Sequence, residues 1–275
     1  MSESGLQGVA DTLYIPLTAR VYVSKRFPEY FYDSKALELE SAIPGRAIQE
    51  GSSEYTMIAS VARYHNLDEM VLKYAAAHPA CNIVNLGCGL ETAFWRLRDK
   101  LPGAFFYAMD LPEVIETRER VLGRPDREVL IMGDLFDLAW ADAIADPSLP
   151  TLLIVSGVFQ YFHNEDVLAF ITAAKERFAD AELIFDATNS TGLKYTNKYV
   201  KKTGNTSAMM YCAVDDPVAF ACEADCELVE SRPFFTVARR MLRGKVGLYT
   251  KVAMAVTDKT GRAILVHLRL KKKAE

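Results

Sequence analysis

Apolar residues along this chain follow two periods, helical spacing and two-residue alternation, and their order predicts the architecture. The leading piece, residues 1–50, is mixed: Arg20, Lys25 and Arg26 alternate with aromatics, and Ser34–Ala42 shows a short helical pattern that Pro44 and Gly45 stop. Asp33 or Ser34 can cap that helix. Met57, Ile58, Val61, Met70, Val71 and Tyr74 fall near helical spacing in a long segment from about Ser52 to Ala77, closed by Pro79. A regular alternation then begins. Strands are predicted at Asn82–Leu86, Phe105–Met109, Val129–Met132, Leu152–Val155 and Leu183–Phe185. Helices are predicted between them at Thr92–Lys100, Pro112–Leu122, a short Leu138–Ala145, and Asn164–Phe178.

Strands separated by helices imply a mostly parallel sheet covered on both faces. The 1–50 piece does not join that alternation and reads as a cap over the sheet. Ala187–Tyr211, rich in Thr, Asn, Gly and Lys, is too long for an ordinary connection and is expected to be functional or mobile, a lid insertion. Cys226–Glu230 and Ala263–Leu270 complete seven strands. In the last, Ile264, Val266 and Leu268 alternate with Leu265, His267 and Arg269, as a half-solvated antiparallel strand would. The expected fold class is α/β: a doubly wound, mostly parallel seven-stranded Rossmann-like sheet with an antiparallel last strand and an N-terminal helical cap, one domain over residues 1–275.

Composition narrows the function classes. Half the 275 residues are hydrophobic and a quarter charged, as in ordinary globular chains, and a formal charge of −4 argues against nucleic acid as the main partner. The basic run Lys271–Lys273 is too short for a nucleic-acid or membrane patch. No apolar run approaches the roughly 18–20 residues of a membrane span. The first residues lack the regions of a signal peptide, and five cysteines, an odd number, suit a reducing compartment, so a cytoplasmic location is expected. Cys222 and Cys226, four apart on an expected helix, lack nearby histidine or cysteine partners and make a weak zinc signal, so no metal is expected.

The chemistry is expected at the carboxyl ends of the strands, where doubly wound sheets bind ligands. Gly87-Cys88-Gly89 joins a strand to a helix and permits close backbone approach to a nucleotide-like ligand. Thr92 stands where a dinucleotide fingerprint has its third glycine, which points away from a pyrophosphate and towards S-adenosylmethionine. A tight structural turn would carry the same glycines. Asp110, ending the second strand, can accept both ribose hydroxyls or cap the helix opened by Leu111-Pro112. Asp134 with Leu135 can take the adenine amino group and cover its ring; a solvated loop acid is the plain alternative. Ser156-Gly157, followed by Tyr161 and His163, ends the fourth strand, where the methionine end of the cofactor and the methyl acceptor would meet. His163 can serve as a general base near neutral pH, or simply begin the next helix.

These segments resemble the leucine carboxyl methyltransferase family, in the branch of tetracenomycin-type polyketide O-methyltransferases. The resemblance rests on Asn82–Thr92 with Trp95-Arg96-Leu97, on Asp110-Leu-Pro-Glu-Val-Ile-Glu, on Phe31-Tyr-Asp with Ala36, on Ile58–Arg63, on Ser156–Tyr161, and on Ala181–Asp186. It implies a class I methyltransferase sheet and S-adenosylmethionine as cofactor. It further implies Arg63 on the cofactor carboxylate, Gly87 under the methionine moiety, Asp110 on the ribose, and Asp134 with Leu135 about the adenine. A basic residue of the cap, Arg20 or Lys25, would also reach the carboxylate. Two departures stand out: Ser156 replaces the family's usual glutamate, which contacts the cofactor ammonium, and Glu91-Thr92-Ala93 replaces Asp-Thr-Arg.

The expected activity is therefore O-methyl transfer to a carboxylate or phenol of a small acceptor, with Tyr161 or His163 as base for a phenol. Two rivals remain open: a catalytically degenerate ligand-binding protein, for which Ser156 speaks, and an NAD-dependent oxidoreductase, against which the missing glycine speaks.

Overall fold

The computed structural model describes residues 3–43, 53–203 and 209–270. The helix stop predicted at Pro44 and Gly45, the end of the 1–50 cap, the predicted helix start at Ser52, part of the 187–211 segment and the Lys271–Lys273 run lie outside the described residues.

The strands are β1 (Cys81–Leu86), β2 (Ala104–Asp110), β3 (Glu128–Met132), β4 (Thr151–Val155), β5 (Ala181–Thr188), β6 (Glu227–Pro233) and β7 (Ala263–Leu270). They form one sheet in the order β3-β2-β1-β4-β5-β7-β6. β1 to β5 pair in parallel, and β7 runs antiparallel to both its neighbours. The strand order reverses between β1 and β4, so the connections leaving those two strands run in opposite directions and open a crevice above their carboxyl ends. Register aligns those ends: Leu86 stands opposite Met109 and Val155, and Val155 opposite Phe185.

Alternation along each strand feeds two cores. Ile83, Phe106, Ile154 and Ile184 face one side, where the helix α3 (Glu54–Ala77) lays down Ile58, Val61, Met70 and Val71. Val84, Leu86, Leu153, Val155 and Phe185 face the other, against Val167, Phe170, Ile171 and Ala174 of the helix Asn164–Arg177. Ser53 caps α3, its side chain accepting the Thr56 N–H.

Four expectations need correction. The leading piece is not mixed: α1 (Glu3–Arg26) is a long helix, followed by the short α2 (Ser34–Glu38). Pro16 lies inside α1, and Leu17, Thr18, Ala19, Arg20, Val21, Val23 and Ser24 are all buried. A helix buried on several sides, with polar residues among the buried ones, shows no single apolar stripe. The segment after the fifth strand carries regular elements that were not expected there: β5 runs on to Thr188 and Ser190–Thr203 is helical. β7 is not half-solvated: Leu265 and His267 are buried as well as Val266 and Leu268, since both faces of the sheet are covered there, Leu265 joining the core under α3 and Val266 and Leu268 the core under Asn164–Arg177. Finally, Cys222 and Cys226 do not share a helix, because Pro217–Glu223 ends before Cys226 and Asp225 adopts a positive φ of 50°.

Candidate functional site

The turn after β1 places three close contacts in a row, two of them dependent on glycine. Gly87 (φ +65°) packs so closely that a Cβ there would lie 2.5 Å from Val158 Cγ2, and Gly89 (φ +47°) passes Leu13. Cys88 donates its N–H to the Met109 carbonyl at 3.0 Å, tying the turn to β2. Gly89 N–H then donates to Asp110 Oδ2 at 2.8 Å, and Leu111 N–H donates to Oδ1 at 2.8 Å. The Asp110 carboxylate is thus oriented from both sides by backbone; the N-cap position of the helix Pro112–Leu122 is Leu111. Burial pushes the Asp110 carboxyl up from its ordinary value, opposed by those two N–H groups. The Cys88 thiol is raised by burial and is no nucleophile at neutral pH.

Across the crevice, α3 delivers Arg63. Its Nη1 donates to Asp186 Oδ2 at 3.3 Å, and Asp186 Oδ1 accepts the Gly157 N–H at 2.6 Å. Burial lowers the Arg63 pKa, but Asp186 more than offsets this and holds the guanidinium charged. Gly157 has φ +73°, and a Cβ there would lie 2.6 Å from Arg63 Nη1. Arg63 Nε is buried and makes no hydrogen bond, so part of the fork remains unspent.

Beneath the turn lies a buried ionic cluster that sequence reading did not find. Arg96 Nε and Nη2 engage Asp68 at 2.7 and 2.9 Å, Nη1 reaches Asp33 at 3.1 Å, and Nη2 reaches Glu91 at 2.8 Å. Arg20 lies 3.1 Å from Asp33 and 3.6 Å from Glu91, and donates to the Leu90 carbonyl at 2.6 Å. Thr92 donates its hydroxyl to Asp33. The Tyr64 ring lies 4.8 Å from the Arg20 guanidinium, 5.2 Å from that of Arg63 and 5.9 Å from that of Arg96. Of the two basic cap residues considered, Arg20 lines the cavity; Lys25 pairs with Glu40 at the surface and does not. Arg96, named from the sequence only as part of the Trp95-Arg96-Leu97 match, is the centre of the cluster, and Asp33 caps α2 through the Ala36 N–H while serving it.

These groups surround a cavity of about 800 Å³ above β1, β2 and β4. Arg63, Gly87, Cys88, Gly89, Asp110, Leu111, Asp134, Leu135, Ser156, Gly157 and Tyr161 all line it, so the strand-end candidates converge on one space. Asp134 is exposed and accepts the Phe136 N–H at 2.9 Å, while Leu135 is buried. Ser156 Oγ is buried and makes no hydrogen bond. His163 stands apart: it is exposed, donates its backbone N–H to Asp166 at 3.1 Å, and stacks on Tyr211 at 4.5 Å, outside the cavity lining. The described residues of 187–211 also lie outside the lining; the N-terminal helix contributes instead, through Leu13, Ile15, Pro16 and Arg20. Asp186, which holds Arg63 and the Gly157 N–H, could have been found by a strand-end search, since it follows the buried Leu183–Phe185 run as Asp110 follows the buried Phe106–Met109 run. The orphaned Arg63 Nε and Ser156 Oγ, the positive-φ turn and the oriented Asp110 suit a ligand with carboxylate, polar and ribose groups. S-adenosylmethionine fits that set. Among the described residues no cluster of three or more His, Cys, Asp or Glu side chains could hold a metal ion, and no helix is long and apolar enough to cross a membrane.

Comparison with known proteins agrees with the geometry. The profile described as leucine carboxyl methyltransferase matches residues 15–175, more than half of the chain. The tetracenomycin polyketide synthesis O-methyltransferase TcmP of Streptomyces glaucescens is 24 % identical over 212 residues, 77 % of each chain. An S-adenosyl-L-methionine-dependent methyltransferase of Gibberella zeae, dpfgK, is 24 % identical over 232 residues, again 77 % of each. The fold matches the crystal structure of a DUF574 family protein from Streptomyces avermitilis MA-4680, with a TM-score of 0.59 and 16 % identity over 92 % of this chain and 96 % of that one.

Proposed function

Since this chain belongs to the leucine carboxyl methyltransferase family, and is thereby an S-adenosylmethionine-dependent methyltransferase, we propose that it methylates an oxygen, carboxylate or phenolic, of a small acceptor. The observation that carries the reading is the convergence of Gly87, Asp110, Asp134, Ser156 and Arg63 on one cavity. In this reading Arg63, with Arg20 beside it, holds the cofactor carboxylate; a guanidinium fork already fixed by Asp186 loses little freedom on binding. Asp110 takes the ribose hydroxyls, and Asp134 and Leu135 frame the adenine. When bound, the cofactor supplies an electrophilic sulfonium methyl. The chain's own contribution is positioning and exclusion of water, the usual sources of rate in a displacement that needs little covalent help.

Oxygen as the acceptor atom is supported by the Streptomyces glaucescens relative, an O-methyltransferase. A small acceptor with apolar surface is supported by Leu13, Ile15 and Pro16 of α1, which wall the cavity. A carboxylate needs no base at neutral pH. A phenol does, and the fact that Tyr161 lines the cavity while His163 does not supports Tyr161 for that task.

Transfer of a labelled methyl group to a panel of carboxylic and phenolic acceptors tests the proposal. Base treatment separates the two products, since a methyl ester releases labelled methanol and an aryl methyl ether does not. Label on carbon or nitrogen alone would refute oxygen transfer. The second reading, a ligand-binding protein without turnover, is favoured by Ser156, which lines the cavity with a neutral side chain whose hydroxyl is buried and unpaired. Saturable binding of S-adenosylhomocysteine with no labelled product from any acceptor would establish it instead.

A further inference from the structure

The cluster beneath the glycine turn carries an unbalanced charge. Asp33, Asp68 and Glu91 contribute three negative charges and Arg20 and Arg96 two positive ones, leaving a formal excess of one negative charge. The neighbouring pairs Arg63–Asp186 and Arg118–Glu128 are each neutral and leave that excess in place. An uncompensated charge in a buried setting is costly, and a cation from outside the chain relieves it.

Glu91 is the member of the cluster placed to receive that cation. It lines the cavity and is 8 % exposed; its Oε1 is bound by the Thr92 N–H at 2.8 Å and by Arg96, while its buried Oε2 accepts no hydrogen bond and has Arg20 Nη1, at 3.6 Å, as a charged neighbour. Asp33 and Asp68 do not line this cavity. The other carboxylates that do are committed elsewhere: Asp110 accepts two backbone N–H groups, and Asp134 holds the Phe136 N–H at an exposed loop. Asn85 and Ser156 line the same wall but are neutral. Glu91 is ionised at neutral pH: burial raises its carboxyl, and Arg96 and Arg20 outweigh burial to hold it at about 2.

We propose that Glu91 supplies the anion for the α-ammonium group of S-adenosylmethionine, with Ser156 Oγ as a neutral second acceptor. The assignment rests on that cofactor occupying the cavity. It makes the methionine end a double charge match, Arg63 to the carboxylate and Glu91 to the ammonium, and it gives the cluster's excess negative charge a counter-ion.

Calorimetry with three ligands tests it: S-adenosylhomocysteine, its analogue lacking the α-amino group, and 5′-methylthioadenosine, which lacks the whole amino-acid part. Wild-type protein is expected to prefer S-adenosylhomocysteine over the deaminated analogue by roughly tenfold or more, the range of a charge-assisted hydrogen bond. Glu91→Gln is expected to bring those two ligands within about threefold of each other while 5′-methylthioadenosine binds as in wild type. If glutamine at this buried position prevents folding, Glu91→Asp, which keeps the charge but draws the carboxylate back from the cavity, carries the same readout. Wild-type preference retained in the variant, or no preference in wild type, overturns the inference alone. No binding of any of the three ligands to folded wild-type protein overturns the cofactor reading, and the inference with it.

Discussion

Gly157→Ala is the perturbation that separates the turn's conformational demands from its role in the site. Gly157 has φ +73°, and an added methyl would sit 2.6 Å from Arg63 Nη1 and 3.1 Å from Cζ. The dihedral alone costs an L-residue about 1–2 kcal/mol. Gly261→Ala measures that share independently, because Gly261 has φ +60° and its added methyl would meet nothing within 4 Å. The remainder falls on the guanidinium, which must retreat from Asp186, now 3.3 Å from Nη1, and so leaves the position argued to meet the cofactor carboxylate. Losing a charge-assisted bond to that carboxylate corresponds to about 1.5–3 kcal/mol, roughly ten- to hundredfold in affinity. Urea denaturation of Gly157→Ala and Gly261→Ala, with calorimetry using S-adenosylhomocysteine and 5′-methylthioadenosine, reads both parts. The expected result is weakened S-adenosylhomocysteine binding with 5′-methylthioadenosine little changed. Unchanged affinity for S-adenosylhomocysteine, or equal loss of both ligands, would refute the assignment of Arg63 to the carboxylate.

Other outcomes follow from the same contacts. Arg96→Met strands Asp33, Asp68 and Glu91 and is expected to cost about 3–5 kcal/mol in urea unfolding, whereas Lys25→Ala, at a surface pair with Glu40, should change stability by less than about 1 kcal/mol. Glu91 titrates below its ordinary 4.5 when folded, so its stabilisation is complete above about pH 4.5 and is lost as pH falls towards 2; the stability advantage of wild type over Glu91→Gln should shrink across that window in denaturant midpoints. In native protein a thiol reagent should modify the exposed Cys222 well before Cys88, whose buried thiol is held protonated; mass spectrometry of partially labelled protein showing Cys88 first would contradict the burial described for the turn.

How far the molecule could be read from its residues depended on how one-sided each element is. β1 to β5 are short apolar runs between polar punctuation, and the helix Asn164–Arg177 shows one stripe above acidic starting residues, so both were legible from period alone. Alpha-helix α1 was not, because its buried positions surround it and include Thr18, Arg20 and Ser24, which a sequence presents as surface. His267 misled in the same way: a polar residue in alternation suggested a solvated face, yet its Nε2 meets Glu182 at 2.6 Å within the sheet. Strand-terminal acids such as Asp110 and Asp134 could be placed because strand ends are where this topology gathers ligand contacts. The Arg20–Asp33–Glu91–Arg96–Asp68 cluster could not, since its members are separated by up to 76 positions in the chain and pair only once α1, α3 and the turn have packed. His163 showed the limit of proximity in sequence: it follows Tyr161 by two residues, yet the chain turns it out of the cavity that Tyr161 lines.

The account stands most directly on what occupies the crevice above β1, β2 and β4. Calorimetric titration of the chain and of Asp110→Ala with S-adenosylhomocysteine measures it. Predicted are one-to-one saturable binding to wild type and affinity weakened by roughly tenfold or more in the folded variant, as expected for the loss of an acid that accepts ribose hydroxyls. No heat at millimolar ligand, or the same affinity with and without the Asp110 carboxylate, would contradict it.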